Sequence, residues 1–237
     1  MNNKKVLEVL NKIGVLSSII FPMVLIISFI IHHMGEYSMA DLLKFKMIYI
    51  PPSSERFMEL FSSNSILDFI LPHLIIYLAI PFGIPAVVFL GSLLFHKKPW
   101  LSIIGVSFSL IGIVFMGGVF GAWLSFTAIG NVSVDQIPGV LPVIEELTKR
   151  NGMLMLSSSL AGLSLVGFII VTTGLFLTHV IPRWQSALII AGNVIIVIFM
   201  DIDNLMLIGS ILWLIGVLPF LKKNIQQKNE PDVTGYF

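Results

Sequence analysis

The sequence predicts an all-α polytopic membrane protein: a six-helix transmembrane bundle with short interfacial helices in its outer loops. Three observations predict it. Hydrophobic residues make up 56% of the 237 and charged residues only 11%, where an ordinary soluble domain has about 25% charged residues; the mean hydropathy is +0.97. Apolar runs of about 20 residues, each long enough to cross roughly 30 Å of hydrocarbon, recur along the chain. The cations collect in alternate connections between those runs, as the positive-inside rule requires.

The first span, 13–33, follows Lys4, Lys5 and Lys12. This resembles the basic region of a signal peptide, but the apolar stretch is too long for one, so it reads as an uncleaved signal anchor. The remaining spans fall at 66–95, 100–127, 152–178, 184–200 and 205–221. With the N-terminus in the cytoplasm, the inner side holds Lys4, Lys5, Lys12, Lys97, Lys98, Arg183, Lys222, Lys223 and Lys228, nine of the fourteen Lys and Arg residues. The short connections HKKPW (96–100) and HVIPRW (179–184) both fall inside, each with a cation and an interface-seeking Trp. Both termini are then cytoplasmic, residues 1–223 form one transmembrane domain, and 224–237 form a polar cytoplasmic tail.

The outer loops are longer. In 34–65, Ser38 to Asp41 has the form of a capping box ahead of LLKFKMIYI, and Ser54 precedes RFMELF; both pieces read as helices lying in the outer interface. In 128–151, Pro142 suits the first turn of a helix PVIEELTKR that ends near Asn151-Gly152. Asn131-Val132-Ser133 matches a glycosylation sequon.

The second span is the most irregular. As a helix it measures about 45 Å, well beyond the hydrocarbon core, and it contains Pro72, Pro81, Gly83 and Pro85. Each proline removes a backbone donor, which predicts a kinked helix whose freed carbonyls need partners that lipid cannot supply. Asp68 falls near the outer surface and His73 roughly 7 Å deeper, with Tyr77 one turn on along the same face. An ionisable residue inside a membrane is costly enough to mark a candidate site. The fifth span, at about 25 Å, holds the turn Asp201-Ile202-Asp203-Asn204 close to the outer headgroups. His32, His33 and Glu36 end the first span on that same side. Small residues suggest where helices meet: Gly117 and Gly121 as a GxxxG pair, Ser158 and Gly162 as a second small pair. Ser157 to Ser159, Thr172 and Thr173 can bond to helical carbonyls, and Asn193 reads as interhelical glue.

At HVIPRWQSALIIAGN (179–193), preceded by the fourth span, and at Lys12-Ile13-Gly14-Val15, the chain resembles an uncharacterised family of six-helix bacterial integral membrane proteins. The resemblance covers mainly the last third. It implies a bacterial inner-membrane protein and supplies no substrate or catalytic residue.

Several classes are excluded by what the sequence lacks. A net charge of +1 and the lack of a basic patch interleaved with aromatics leave no case for nucleic acid. No cysteine is present, so thiolate catalysis, disulfides and thiolate-held metals drop out. No Walker motif or nucleophile elbow occurs. The expectation is a protein of the lipid bilayer, without a cofactor, that binds or passes a small apolar or amphipathic molecule through a groove beside the second span. His73 and Tyr77 are its polar contacts, with Asp68, Asp201 and Asp203 as further candidates. The alternative is an outer-leaflet enzyme with a divalent metal on His32, Asp68, His73 and Asp201, ligand types that suit Zn or Mn. A third reading is a structural or immunity-type accessory acting through the outer loops.

Overall fold

A computed structural model describes residues 3–36, 70–126, 137–148, 153–199 and 203–229, and among the described residues every element is helical. In chain order these are α1 (Asn3–Glu36), α2 (Leu71–Phe95), α3 (Pro99–Phe126), α4 (Ile137–Thr148), α5 (Met153–Ala161), α6 (Leu163–Thr178), α7 (Arg183–Ile198) and α8 (Asp203–Asn229). Among the described residues four stretches are long and apolar enough to cross a membrane: Lys5–Ile31, Leu71–Phe95, Pro99–Ala122 and Leu154–Thr178. Arg183–Ile198 and Leu205–Phe220 are apolar but shorter. The interfacial helices expected at 40–61 and the sequon at Asn131 lie outside the described residues.

Leu154–Thr178 combines α5 and α6. The break between them at Gly162 is slight, because Gly162 N–H still bonds to Ser158 O and Val166 N–H to Gly162 O, both at 3.2 Å. α2 runs through Pro81 and Pro85 without ending. Three boundaries differ from expectation, the first being that α1 already begins at Asn3, ahead of the span expected from 13. The helix of the second outer loop begins at Ile137, so Pro138 takes the early position where a missing N–H costs nothing and Pro142 falls inside the helix. The polar tail expected from 224 begins as a continuation of α8 to Asn229. Lys222 to Lys228 are mostly good helix formers, and Pro231 is the first residue that opposes a helix.

The helices close into a cycle. α1 packs on α2, α2 on α3, α3 on α6, α6 on α7, α7 on α8, and α8 returns to α1, while α2 also touches α6 across the middle. Their directions follow from the contacts. Ser28 of α1 bonds to Pro72 of α2, and Gly14 of α1 lies against Phe89 of α2, so α1 and α2 are antiparallel. Leu94 of α2 abuts Gly174 of α6, and the Phe89 and Phe220 rings are 5.5 Å apart. The start of α1, the turns after α2 and α6, and the later part of α8 therefore lie at one end. Lys5, Lys12, Lys97, Lys98 and Arg183 belong to that end, as do Trp100 and Trp184, both exposed.

Polarity is distributed as a bilayer demands. Leu, Ile, Val and Phe face outward, up to Val114 at 69% exposure, while Ser28, Ser109, Thr172, Ser186, Asn193 and Ser210 are fully buried. A hydroxyl inside the bundle has only helical carbonyls to bond to, and nearly all do so. Ser158 donates to Leu154 O, Ser159 to Met155 O and Thr172 to Phe168 O, as expected from the sequence. Three others tie different helices together: Ser28 to Pro72 O at 2.9 Å, Ser102 to Gly91 O at 2.8 Å and Ser109 to Ser164 O at 3.0 Å.

The close-packed seam is not the expected one. Nothing lies within 4 Å of a Cβ built on Gly117, whereas Gly105, Ser109 and Gly112 of α3 press directly on Ser164 and Gly167 of α6. Asn193 also departs from expectation. Its Nδ2 donates to Ile189 O within α7, and its Oδ1 has no partner among the described residues.

The turn 179–182 carries a strained residue. His179 caps α6 in the left-handed region at φ 56°, which costs a residue with a Cβ about 1 kcal/mol. His179→Gly is accordingly expected to stabilise the protein by about 1 kcal/mol, and His179→Val to do the reverse. Detergent unfolding midpoints check this; a midpoint unchanged or lowered in the glycine variant would remove the strain assignment. Beyond the turn Pro182 opens α7, its carbonyl accepting from Gln185 N–H at 3.0 Å, and Arg183 lies 5.6 Å over the Phe176 ring.

Candidate functional site

Of the candidate binding and metal-holding residues His32, Asp68, His73, Tyr77, Asp201 and Asp203, His73 and Tyr77 are the two whose side chains are described. Both sit in the first two turns of α2 and share the face turned to α3, as their i, i+4 spacing predicts. The His73 ring lies 5.8 Å from Phe120. Tyr77 Cε2 is 3.6 Å from the position of a Cβ on Gly121, and Tyr77 is 40% exposed. In the same first turn the Pro72 carbonyl accepts a hydrogen bond from Ser28 Oγ of α1 at 2.9 Å. Asp68 and Asp201 lie outside the described residues. His32 belongs to the end of α1 and Asp203 begins α8, with both side chains outside the described set. Among the described residues no three His, Cys, Asp or Glu side chains come together.

The structure supplies a groove beside α2, but at the other end of the helix from His73. It has a volume of about 420 Å³ and lies between the last turns of α2 and the first turns of α3, roughly 22 Å along the helix from Tyr77. Its floor is Gly91, Ser102 and Val106, and its walls are Val88, Phe95 and Ile103, with Ser92, Ser107 and His96 at the rim.

Local sequence explains why the groove forms. Pro99 at the first position of α3 and the convergence of Lys97 and Lys98 N–H on Leu94 O, at 2.9 and 3.0 Å, fold the chain back in a very short turn. The two helices then approach closely because position 91 has no side chain. A Cβ there would collide with Val106 Cγ2 and lie 3.2 Å from Ser102 Oγ. Ser102 locks the approach through its bond to Gly91 O. Beyond this contact the larger side chains spread outward: Val88 is 47% exposed, Phe95 47% and Ile103 45%, so the groove opens on the outward, apolar surface.

Sequence reasoning missed this groove. Its signal was present in Ser92, Ser102 and Ser107, hydroxyls spaced through otherwise apolar helices beside His96-Lys97-Lys98. No single motif reports it, because the floor is shared between two helices.

Together these features define the class: among the described residues, a helical protein with long apolar helices able to cross a membrane and a groove that opens on its outward, apolar surface. A comparison with known protein families, curated proteins and solved structures finds no match to this chain.

Proposed function

We propose that the protein is a six-pass component of a bacterial inner membrane, both termini cytoplasmic, that binds a small amphipathic molecule in the groove between α2 and α3. The topology is supported by the gathering of Lys5, Lys12, Lys97, Lys98 and Arg183 at the end where α1 begins. In this reading α7 and α8 are the fifth and sixth spans, and their apolar stretches Arg183–Ile198 and Leu205–Phe220, each about 24 Å long, cross with local thinning of the bilayer.

The observation that carries the binding role is the composition of the groove. Apolar walls of Val88, Phe95 and Ile103 lead to His96 at one end of the groove, with Ser92 and Ser107 along its edges, a combination that holds an apolar body by contact and orients a polar head at the His96 end. Because the groove opens outward, its ligand arrives from the bilayer.

Ser107→Trp tests the reading. Ser107 is exposed at the rim, so an indole there fills the groove without entering the core. A photoactivatable alkyl phospholipid probe is expected to label α2 and α3 saturably in the native protein, and about tenfold less in Ser107→Trp, the equivalent of 1.4 kcal/mol. Undiminished labelling in a folded Ser107→Trp protein would exclude this groove.

A further inference from the structure

We infer that the ligand of the α2–α3 groove is an anionic phospholipid, its acyl chain along Val88, Phe95, Ile103 and Val106 and its phosphate at His96, Lys97 and Lys98. The inference rests on the groove-binding reading and adds the chemistry of the head.

The charge around the rim selects the sign. His96 lines the groove, and Lys97 and Lys98 follow it immediately in an exposed turn. The Lys97 and Lys98 backbone N–H groups are both bonded to Leu94 O, which fixes the turn while leaving the side chains directed by their own chemistry. Lys5, Lys12 and Arg183 lie at the same end of the molecule. Glu8 is the acidic side chain described there, and it is bonded to Lys12. The α3 helix starts at this turn, and its positive end adds to the field. A zwitterionic head gains little from such a rim, whereas an anionic phosphate is attracted by each lysine near the surface.

Geometry selects a lipid over free phosphate. From Val88 to His96 the groove runs along about 12 Å of helix, ending at the basic turn, so a molecule lying in it puts its tail toward the bilayer interior and its head at the interface. Phe95 and His96, with ring centroids 6.1 Å apart, stand at the junction where the acyl chain gives way to the head. Free phosphate would use the rim and leave the apolar walls without a partner.

The test uses the full chain in nanodiscs, with photoactivatable phosphatidylglycerol and phosphatidylcholine of identical acyl chains as competing probes. Native protein is expected to favour phosphatidylglycerol about thirtyfold, the effect of two lysines at the surface. In Lys97→Gln/Lys98→Gln the ratio should fall toward one, and 0.5 M salt should lower it in the native protein, because exposed charges are screened. Ser107→Trp should lower labelling by both probes. Equal labelling of native protein by the two probes, or a preference that survives Lys97→Gln/Lys98→Gln, overturns the anionic-head inference while leaving the groove reading intact. Labelling by both probes that is unaffected by Ser107→Trp overturns the groove reading itself. Competition by free inorganic phosphate against phosphatidylglycerol would identify the rim as a phosphate site and overturn the lipid assignment.

Discussion

Gly112→Leu is expected to separate α3 from α6 and cost about 3 kcal/mol, the upper part of the range for overpacking. A Cβ at position 112 would lie 2.6 Å from Ser164 Cα and 2.7 Å from Leu163 C, and would overlap Ser164 N. These are backbone atoms, so no rotamer change relieves the clash and the helices themselves must move. That movement would also stretch the Ser109 Oγ to Ser164 O bond, now 3.0 Å, an interhelical bond worth roughly 1 kcal/mol in a membrane. Gly117→Ala serves as the control on the same helix. Nothing lies within 4 Å of its Cβ, so its stability should stay within about 0.5 kcal/mol of native. Unfolding in mixed detergent and SDS micelles, followed by helical circular dichroism, reads both variants. A Gly112→Leu protein with the native midpoint would mean that α3 and α6 do not meet at this seam.

The two glycines also show which parts of the structure were legible in the sequence. Helix positions were, because a run of apolar residues long enough to span hydrocarbon has few other uses. The expected spans 100–127 and 152–178 match Pro99–Phe126 and the joined α5 and α6 within a residue or so. Which face of a helix meets a neighbour was not, because every face of a membrane helix is apolar and the usual inside-outside pattern is lost. Gly117 and Gly121 form a more recognisable motif than Gly105, Ser109 and Gly112, yet the latter three make the seam. The groove was hidden for the same reason. Its floor depends on Gly91 facing Ser102 and Val106, a pairing decided by the turn at 96–98. His73 and Tyr77 could be placed on one face because local helical spacing alone fixes that relation. The relation of Asp68 to Asp201 depends on how distant segments meet, which spacing does not encode.

Trp213→Ala is the second large effect, expected to cost about 3 to 5 kcal/mol. Trp213 is 1% exposed and sits where three helices meet. Its ring is 4.8 Å from Phe168 of α6 and 5.4 Å from Phe21 of α1, both edge-on, and those two phenylalanines stack at 6.3 Å. On its backbone side, α7 approaches so closely that a Cβ on Gly192 would lie 2.8 Å from Trp213 N. Lipid is as apolar as a protein core, so the cost of truncation is not a transfer term. It is the loss of dispersion contacts around a cavity that α1, α6 and α7 cannot collapse to fill. Trp213→Phe separates packing from polarity. The indole Nε1 has no hydrogen-bond partner among the described residues, and neither does Asn193 Oδ1. Phenylalanine keeps an aromatic ring against Phe21 and Phe168 while removing an unsatisfied donor, so the two effects oppose each other and the net cost should stay near 1 kcal/mol. If Trp213→Phe proved as damaging as Trp213→Ala, the indole N–H rather than the ring would be the group that α8 brings to the centre of the bundle. The order Ala well below Phe, with Phe close to native, is the result that aromatic packing requires.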